Sequence, residues 1–219
     1  MVGERSAVAL VAHADDETLG CGGTLAHLAT SGWDVRVVVL TNGIVTARGP
    51  DLQDNREDCA RACATLGLAP PTWVGFPDQE LDRHSITELS TAVNDLGLDP
   101  HLIISHSPLD LNVDHRITAE VARVVGRPRH HPISIVACEI PANAPWNGHA
   151  FPVNHYVDVS RTIDAKVEAF GCYRNERRDA TDPTSPDGLR LLAAYHGMHA
   201  GMVAAEAFTV LRGASGQLP

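Results

Sequence analysis

The 219-residue sequence has no apolar run near the roughly 20 residues that a membrane-spanning helix requires. Its opening stretch, MVGERSAVALVAHADDE, gathers only six consecutive apolar residues after an acidic and a basic one, too few for the core of a secretory signal. No membrane insertion is expected, and the expected compartment is the cytoplasm. Positive charge is also short: 17 Lys and Arg face 27 Asp and Glu, for a net charge of −10. A surplus of that sign opposes polyanions, so nucleic acid is not an expected partner, and only a local basic pocket for a sugar phosphate stays open. Cysteine is sparse, odd in number and scattered, with five residues and no disulfide framework. Cys59 and Cys63 stand at i, i+4 with no second cysteine pair nearby, and read as small packing residues. There is no HExxH helix, no internal repeat and no low-complexity segment. GCGG at 20–23 is not the GxGxxG of a dinucleotide loop, and its glycines read as close passage of backbone around a metal loop.

What is present is an alternation of buried strands and helices. AVALVA (7–12) reads as a strand buried on both faces, HADDETLGCGG as a loop, TLAHLAT (24–30) as a helix and VRVVVLT (35–41) as the next strand. Strand, loop, helix and strand in so short a span make a βαβ unit. Helical spacing recurs over 55–67, 85–97 and 115–126. Strands are expected at 72–76, 101–107, 133–140 and 155–160. Two helical stretches are expected to close the chain, TIDAKVEAFGCYRNER and PDGLRLLAAYHGMHAGMVAAEAFTVLR. The fold class is α/β: one domain over 1–219, a three-layer α/β/α sandwich around a mostly parallel, Rossmann-like sheet, with a frayed tail at 213–219. Residues 43–54 and 141–154 read as functional loops at the sheet edge where such folds bind substrate.

Chemistry concentrates where two of these strands end. The first delivers His13, Asp15, Asp16 and Glu17 within five residues, and adjacent carboxylates repel unless something compensates. Capping by a helix dipole accounts for one carboxylate or two, not for three with a histidine. A divalent metal compensates all of them. The strand HLIISHS then leads into Asp110, Asn112, Asp114 and His115 before a new helix. Imidazole and carboxylate without thiolate, with one position open, is the donor set of a catalytic zinc, for which Fe2+, Co2+ or Mn2+ can substitute.

These residues carry a resemblance. AHADDETLGCGGTLA resembles the AHPDDE motif that opens the PIG-L/LmbE family of zinc-dependent N-deacetylases, and DLNVDHR resembles that family's second metal motif. Further likeness runs through NREDCARACATLGL, GFPDQEL, EIPANAPWNG, VDVSRTIDAKVEAFGCY and GMVAAEAF, nearly the whole chain. The resemblance implies a hydrolase that removes an acyl group, acetyl above all, from the nitrogen of a small amino sugar, free or nucleotide- or glycoside-linked. It implies zinc on His13, Asp16 and His115, Asp15 as general base, and Glu17 behind the ligands. Ala14 stands where the motif has proline. Asn112 stands where many members carry a histidine that steadies the oxyanion, a task left between the Asn112 amide and a cationic His106. Asp114 either orients an imidazole or caps its helix. Arg56, Asp78 and Trp146 are candidates for substrate contact: Arg56 for a phosphate or hydroxyl unless it is a solvated helix charge, Asp78 for a sugar hydroxyl, and Trp146 for a sugar face unless it anchors its loop. Members of such families associate, so a homo-oligomer is open. The competing functions are an amidase for a non-sugar acyl conjugate and a non-catalytic sugar- or nucleotide-binding module; the intact set of His13, Asp15, Asp16 and His115 argues against the module.

Overall fold

The computed structural model describes residues 5–45, 53–176, 179–214 and 218–219. The expected βαβ start is present as β1 (Ser6–Val11), α1 (Asp16–Thr30) and β2 (Asp34–Thr41). Two short strands, β3 (Ile44–Val45) and β4 (Gln53–Asp54), pair antiparallel. The rest of the expected functional loop 43–54 lies outside the described residues. Then follow α2 (Arg56–Thr65), β5 (Thr72–Phe76), α3 (Ile86–Asn94), β6 (Leu102–His106), α4 (Val113–Val125) and β7 (Ser134–Cys138). The loop 141–154 carries a short α5 (Asn143–Trp146), and β8 (His155–Asp158), α6 (Ile163–Phe170), α7 (Pro186–Ala200) and β9 (Ala205–Arg212) complete the order.

The main sheet has seven strands in the order β5-β2-β1-β6-β7-β9-β8. All pairings are parallel except those of β9, which runs antiparallel between β7 and β8. Two cores face away from the sheet. On one side Ala9 and Val11 of β1 meet Leu25 and Leu28 of α1, Cys59 and Cys63 of α2, Phe170 of α6 and Leu189 of α7. On the other, Val8 and Leu10 meet Leu89 and Val93 of α3 and Val121 of α4. Alternate residues of β1 thus serve opposite layers, as the period of a strand requires. The expected three-layer sandwich is the fold found.

Two local expectations are corrected. The stretch MVAAEAFTVLR is not helix: α7 stops at Gly201, in the left-handed region at φ 71, and 205–212 form β9. The loop expected through GCGG is also helix, since α1 begins at Asp16 and contains all three glycines, with non-helical angles only at Cys21. These glycines serve close packing. A Cβ on Gly20 would come within 2.5 Å of Cys138 Sγ, and one on Gly23 within 2.9 Å of Val159 Cγ1. Past the kink, Glu206 of β9 accepts the Gly23 and Thr24 amides at 3.0 and 2.7 Å, a carboxylate on freshly exposed helix N–H groups. Lys166, the single lysine of the sequence, pairs with that carboxylate at 2.6 Å, and both are buried. The tail expected to fray is held at two points: the Ala214 amide donates to Ser134 Oγ at 2.9 Å and Leu218 packs on the core. Residues 215–217 lie outside the description.

The topology decides where a site can form. From β1 the chain proceeds to β2 and β5 on one side, then returns to lay β6 and β7 on the other. The crevice beyond the carboxyl ends of β1 and β6 is therefore the switch point at which α/β sheets bind ligands. Ala7 and Ala9 pair with Leu102 and Ile104, which brings the two chemistry-bearing loops side by side.

Candidate metal and active site

His13 leaves β1 and His115 sits in the first turn of α4, yet His13 Nδ1 and His115 Nε2 lie 3.2 Å apart. Asp16 spans both: Oδ2 is 3.3 Å from His13 Nδ1, and Oδ1 is 3.3 Å from His115 Nε2. A tetrahedral ion with bonds of about 2.0–2.1 Å holds its donors about 3.3–3.4 Å from one another, so this triangle has the dimensions of one face of such a site.

The outer nitrogens of both rings face carboxylates. His13 Nε2 is 3.1 Å from Asp114 Oδ2 and 3.4 Å from Asp78 Oδ1, and His115 Nδ1 is 3.1 Å from Asp110 Oδ1. A proton on each outer nitrogen aims both inner lone pairs at the same point, beside the Asp16 carboxylate. Three electron-rich atoms converging in a buried pocket require a cation. The donor set, hard oxygen with two imidazoles and no thiolate, fits a divalent transition metal. Asp16, Asp78, Asp110 and Asp114 are all at most 5% exposed, so the charge demand is strong. Where no metal answers it, protons do. Burial alone would pull His13 down, but hydrogen bonds to Asp114 and Asp16 and the nearby negative charges push it up to about 10. Burial likewise pulls on His115, but the Asp16 charge and the Asp110 bond carry it up to about 9. Burial raises Asp16 less than the facing imidazoles, His115 above all, lower it, and it stays well below the usual carboxylate range.

Asp15 lies next to this triangle with its backbone in the left-handed region at φ 101, costly for a residue with a side chain. Glu17 holds it there. The fully buried Glu17 carboxylate accepts the Asp15 amide on Oε2 at 3.1 Å, and the Thr18 and Tyr173 hydroxyls on Oε1. Burial raises its pKa, against those hydrogen bonds.

Around the triangle opens a cleft of about 340 Å3, whose walls include Asp15, Asp78, Asn112 and Trp146. Asn112 caps α4, its Oδ1 accepting the Asp114 amide at 2.8 Å while Nδ2 faces Gln79 Oε1 at 3.4 Å. With the cap taken by Asn112, Asp114 is left to orient an imidazole, that of His13, while its other oxygen accepts the Leu81 amide at 3.1 Å. Asp78 is buried in the cleft wall and Trp146 is 62% exposed at its rim.

Two candidates for contact with substrate or oxyanion fall outside the cleft. His106 is fully buried, stacked behind His115 with ring centroids 3.9 Å apart. Its Nε2 accepts the Ala12 amide at 3.0 Å, and burial together with His115 lowers its pKa, so it is a neutral support and not a cationic donor. Arg56 is turned to Asp54, with Nε and Nη2 at 2.9 and 2.6 Å from its oxygens, on the exposed face of the chain. Two residues of the site were not singled out from sequence, Asn143 bonded to Asp110 at 2.9 Å and Gln79, whose backbone sits at φ 59 between Asn112 and His13; Asp110, behind His115, was named in the second cluster but given no role. Asp110 is preceded by a strand and followed two residues later by the cap, a pattern that would have marked it.

Comparison with known proteins agrees with this geometry. The family described as GlcNAc-PI de-N-acetylase, PIG-L, matches residues 8–125, more than half the chain and the span that carries both metal loops. A 1D-myo-inositol 2-acetamido-2-deoxy-alpha-D-glucopyranoside deacetylase of Mycobacterium sp. (strain KMS) is 39% identical, over 75% of this chain and 72% of that protein. The diacetylchitobiose deacetylase of Thermococcus kodakarensis is 26% identical, over 92% of this chain and 81% of its own. The crystal structure of the conserved protein TT1542 from Thermus thermophilus matches with a TM-score of 0.75 at 25% identity, covering 95% of this chain and 94% of that one. The chain belongs to the PIG-L family of de-N-acetylases and is a metal-dependent amide hydrolase.

Proposed function

We propose that the chain removes an acetyl group from the nitrogen of a small amino sugar, with zinc held by His13, Asp16 and His115. The observation that carries the reading is the donor triangle of 3.2–3.3 Å, with a carboxylate oxygen 3.1 Å from each outer imidazole nitrogen. Both curated relatives bear names of deacetylases for acetamido sugars, which supports a sugar over other acyl conjugates. The five unpaired cysteines suit a cytoplasmic setting.

When bound, zinc supplies Lewis acidity that polarises an amide carbonyl and brings the pKa of water to about 7. The remaining work falls to the protein. Asp15, beside the triangle in the cleft wall, accepts the proton of the attacking water and hands it to the departing amine nitrogen. The amide Nδ2 of Asn112 donates to the carbonyl oxygen as negative charge develops there. Glu17 fixes the backbone of Asp15, and Asp110 and Asp114 fix the two imidazoles. Asp78 binds a sugar hydroxyl, and Trp146 lays its ring against a sugar face at the rim.

Metal analysis of the wild type beside His115→Ala, with acetate release from N-acetylglucosamine derivatives followed in the same samples, tests the reading. Close to one zinc per chain, lost together with acetate release in the variant, is expected. Zinc binding with no acetate release from any such sugar would turn the assignment to a different amide, and a wild type that takes up no metal would remove it.

A further inference from the structure

The loop 141–154 forms one wall of the cleft, through Pro141, Asn143 and Trp146. It is not merely laid over the metal loops. Asn143 Nδ2 donates to Asp110 Oδ1 at 2.9 Å, on the same oxygen that lies 3.1 Å from His115 Nδ1 and accepts the Asn112 amide at 2.8 Å. One turn further on, Asn147 Nδ2 donates to the carbonyls of Leu109 and Asp110 at 3.2 and 3.3 Å. The chain enters this turn through Ala142 at φ 66, a left-handed backbone that a side chain disfavours and that such anchoring stabilises. Asp110 is 1% exposed, so its carboxylate has little solvent to replace a lost partner.

From this geometry we infer that Asn143 is a positioning residue that couples the substrate wall to the metal centre: through Asp110 it holds the His115 imidazole in register, so that zinc binding and docking of the 141–154 wall on Asp110 favour one another. The inference rests on the zinc site proposed above. The physical route is short. The Asp110 carboxylate orients His115 only while its own rotamer is held, and of the side-chain contacts that hold it, the one from Asn143 comes from the cleft wall. Linkage makes the effect reciprocal, so a wall that releases Asp110 weakens the metal by the factor by which the metal steadies the wall.

The test compares Asn143→Ala with Trp146→Ala in the full chain, measuring zinc Kd by competition with a chromophoric chelator, KM for an N-acetylglucosamine derivative, and the urea midpoint of the zinc-free proteins. For Asn143→Ala zinc affinity is expected to fall about tenfold, the usual effect of losing a group behind a ligand, with KM raised, while the zinc-free midpoint falls only modestly and the protein stays folded under the conditions of the zinc titration. Trp146→Ala, which changes the same wall without touching Asp110, should raise KM and leave zinc Kd within about twofold. Equal zinc affinity in Asn143→Ala and a zinc-binding wild type overturns the inference alone, as does a Trp146→Ala that loosens zinc as much. A wild type that takes up no zinc overturns the parent reading and this inference with it.

Discussion

Asp15 combines a reactive carboxylate with a backbone that few residues adopt, and the two requirements together limit what can stand there. Asparagine tolerates the left-handed region better than most side chains, so Asp15→Asn keeps the turn while deleting the basic oxygen. The expected variant is folded, holds wild-type zinc and loses activity by about 100-fold or more, the usual weight of a general base; activity within about tenfold of wild type would take Asp15 out of that role. Residue identities at this scale were legible where types cluster along the chain: His13, Asp15, Asp16 and His115 stand in two short motifs. What sequence could not give was who faces whom. His106 and His115 occupy neighbouring elements and look alike in sequence, but β6 turns the one inward behind the other, where the Ala12 amide and burial fix it as neutral. Asp114 stands beside His115 in the chain, yet the imidazole it orients is that of His13, 101 residues away in sequence.

Elements were legible wherever burial and period agreed. The strands β1, β2, β6 and β7 announce themselves as largely apolar runs because both faces of a central strand are covered. The misreadings share one cause, in that a neighbour decided against local preference. Alanine, glutamate and leucine in AAEAFTVLR favour helix, but residues 205–212 fill the gap between β7 and β8, and pairing on both edges prevails. Glycines 20, 22 and 23 weaken a helix locally, yet α1 needs them because β7 and Val159 approach its backbone so closely. Gly20→Ala is therefore expected to destabilise the protein by about 1–3 kcal/mol, since overpacking against Cys138 and Ile140 outweighs the better helix propensity of alanine. A lowered urea midpoint checks this; a raised one would mean that the contact relaxes freely.

At the scale of the molecule, the ion is part of the fold's electrostatics. Four buried carboxylates surround two imidazoles, and stability without metal depends on protons in its place. His13 and His115 have folded pKa values of about 10 and about 9, above the ordinary 6.5, so the folded state holds the extra protons. Their contribution to stability is complete below pH 6.5 and fades as pH rises through those two values. Chelated protein should accordingly show a lower urea midpoint at pH 10 than at pH 7. Zinc at about 100 times its Kd should add about 2.7 kcal/mol at either pH. A chelated midpoint that does not change across that range would mean that the histidines are neutral without metal. The layered, mostly parallel sheet follows from alternation of elements and was expected; its strand order and the reversed β9 were not.

The lone lysine has a consequence of another kind. Lys166 lies under α6 against Glu206, so reagents that seek ε-amines find no lysine on the folded surface. Acylation of that one side chain must wait for α6 to part from β9, and the pace at which it is labelled becomes a clock for that opening.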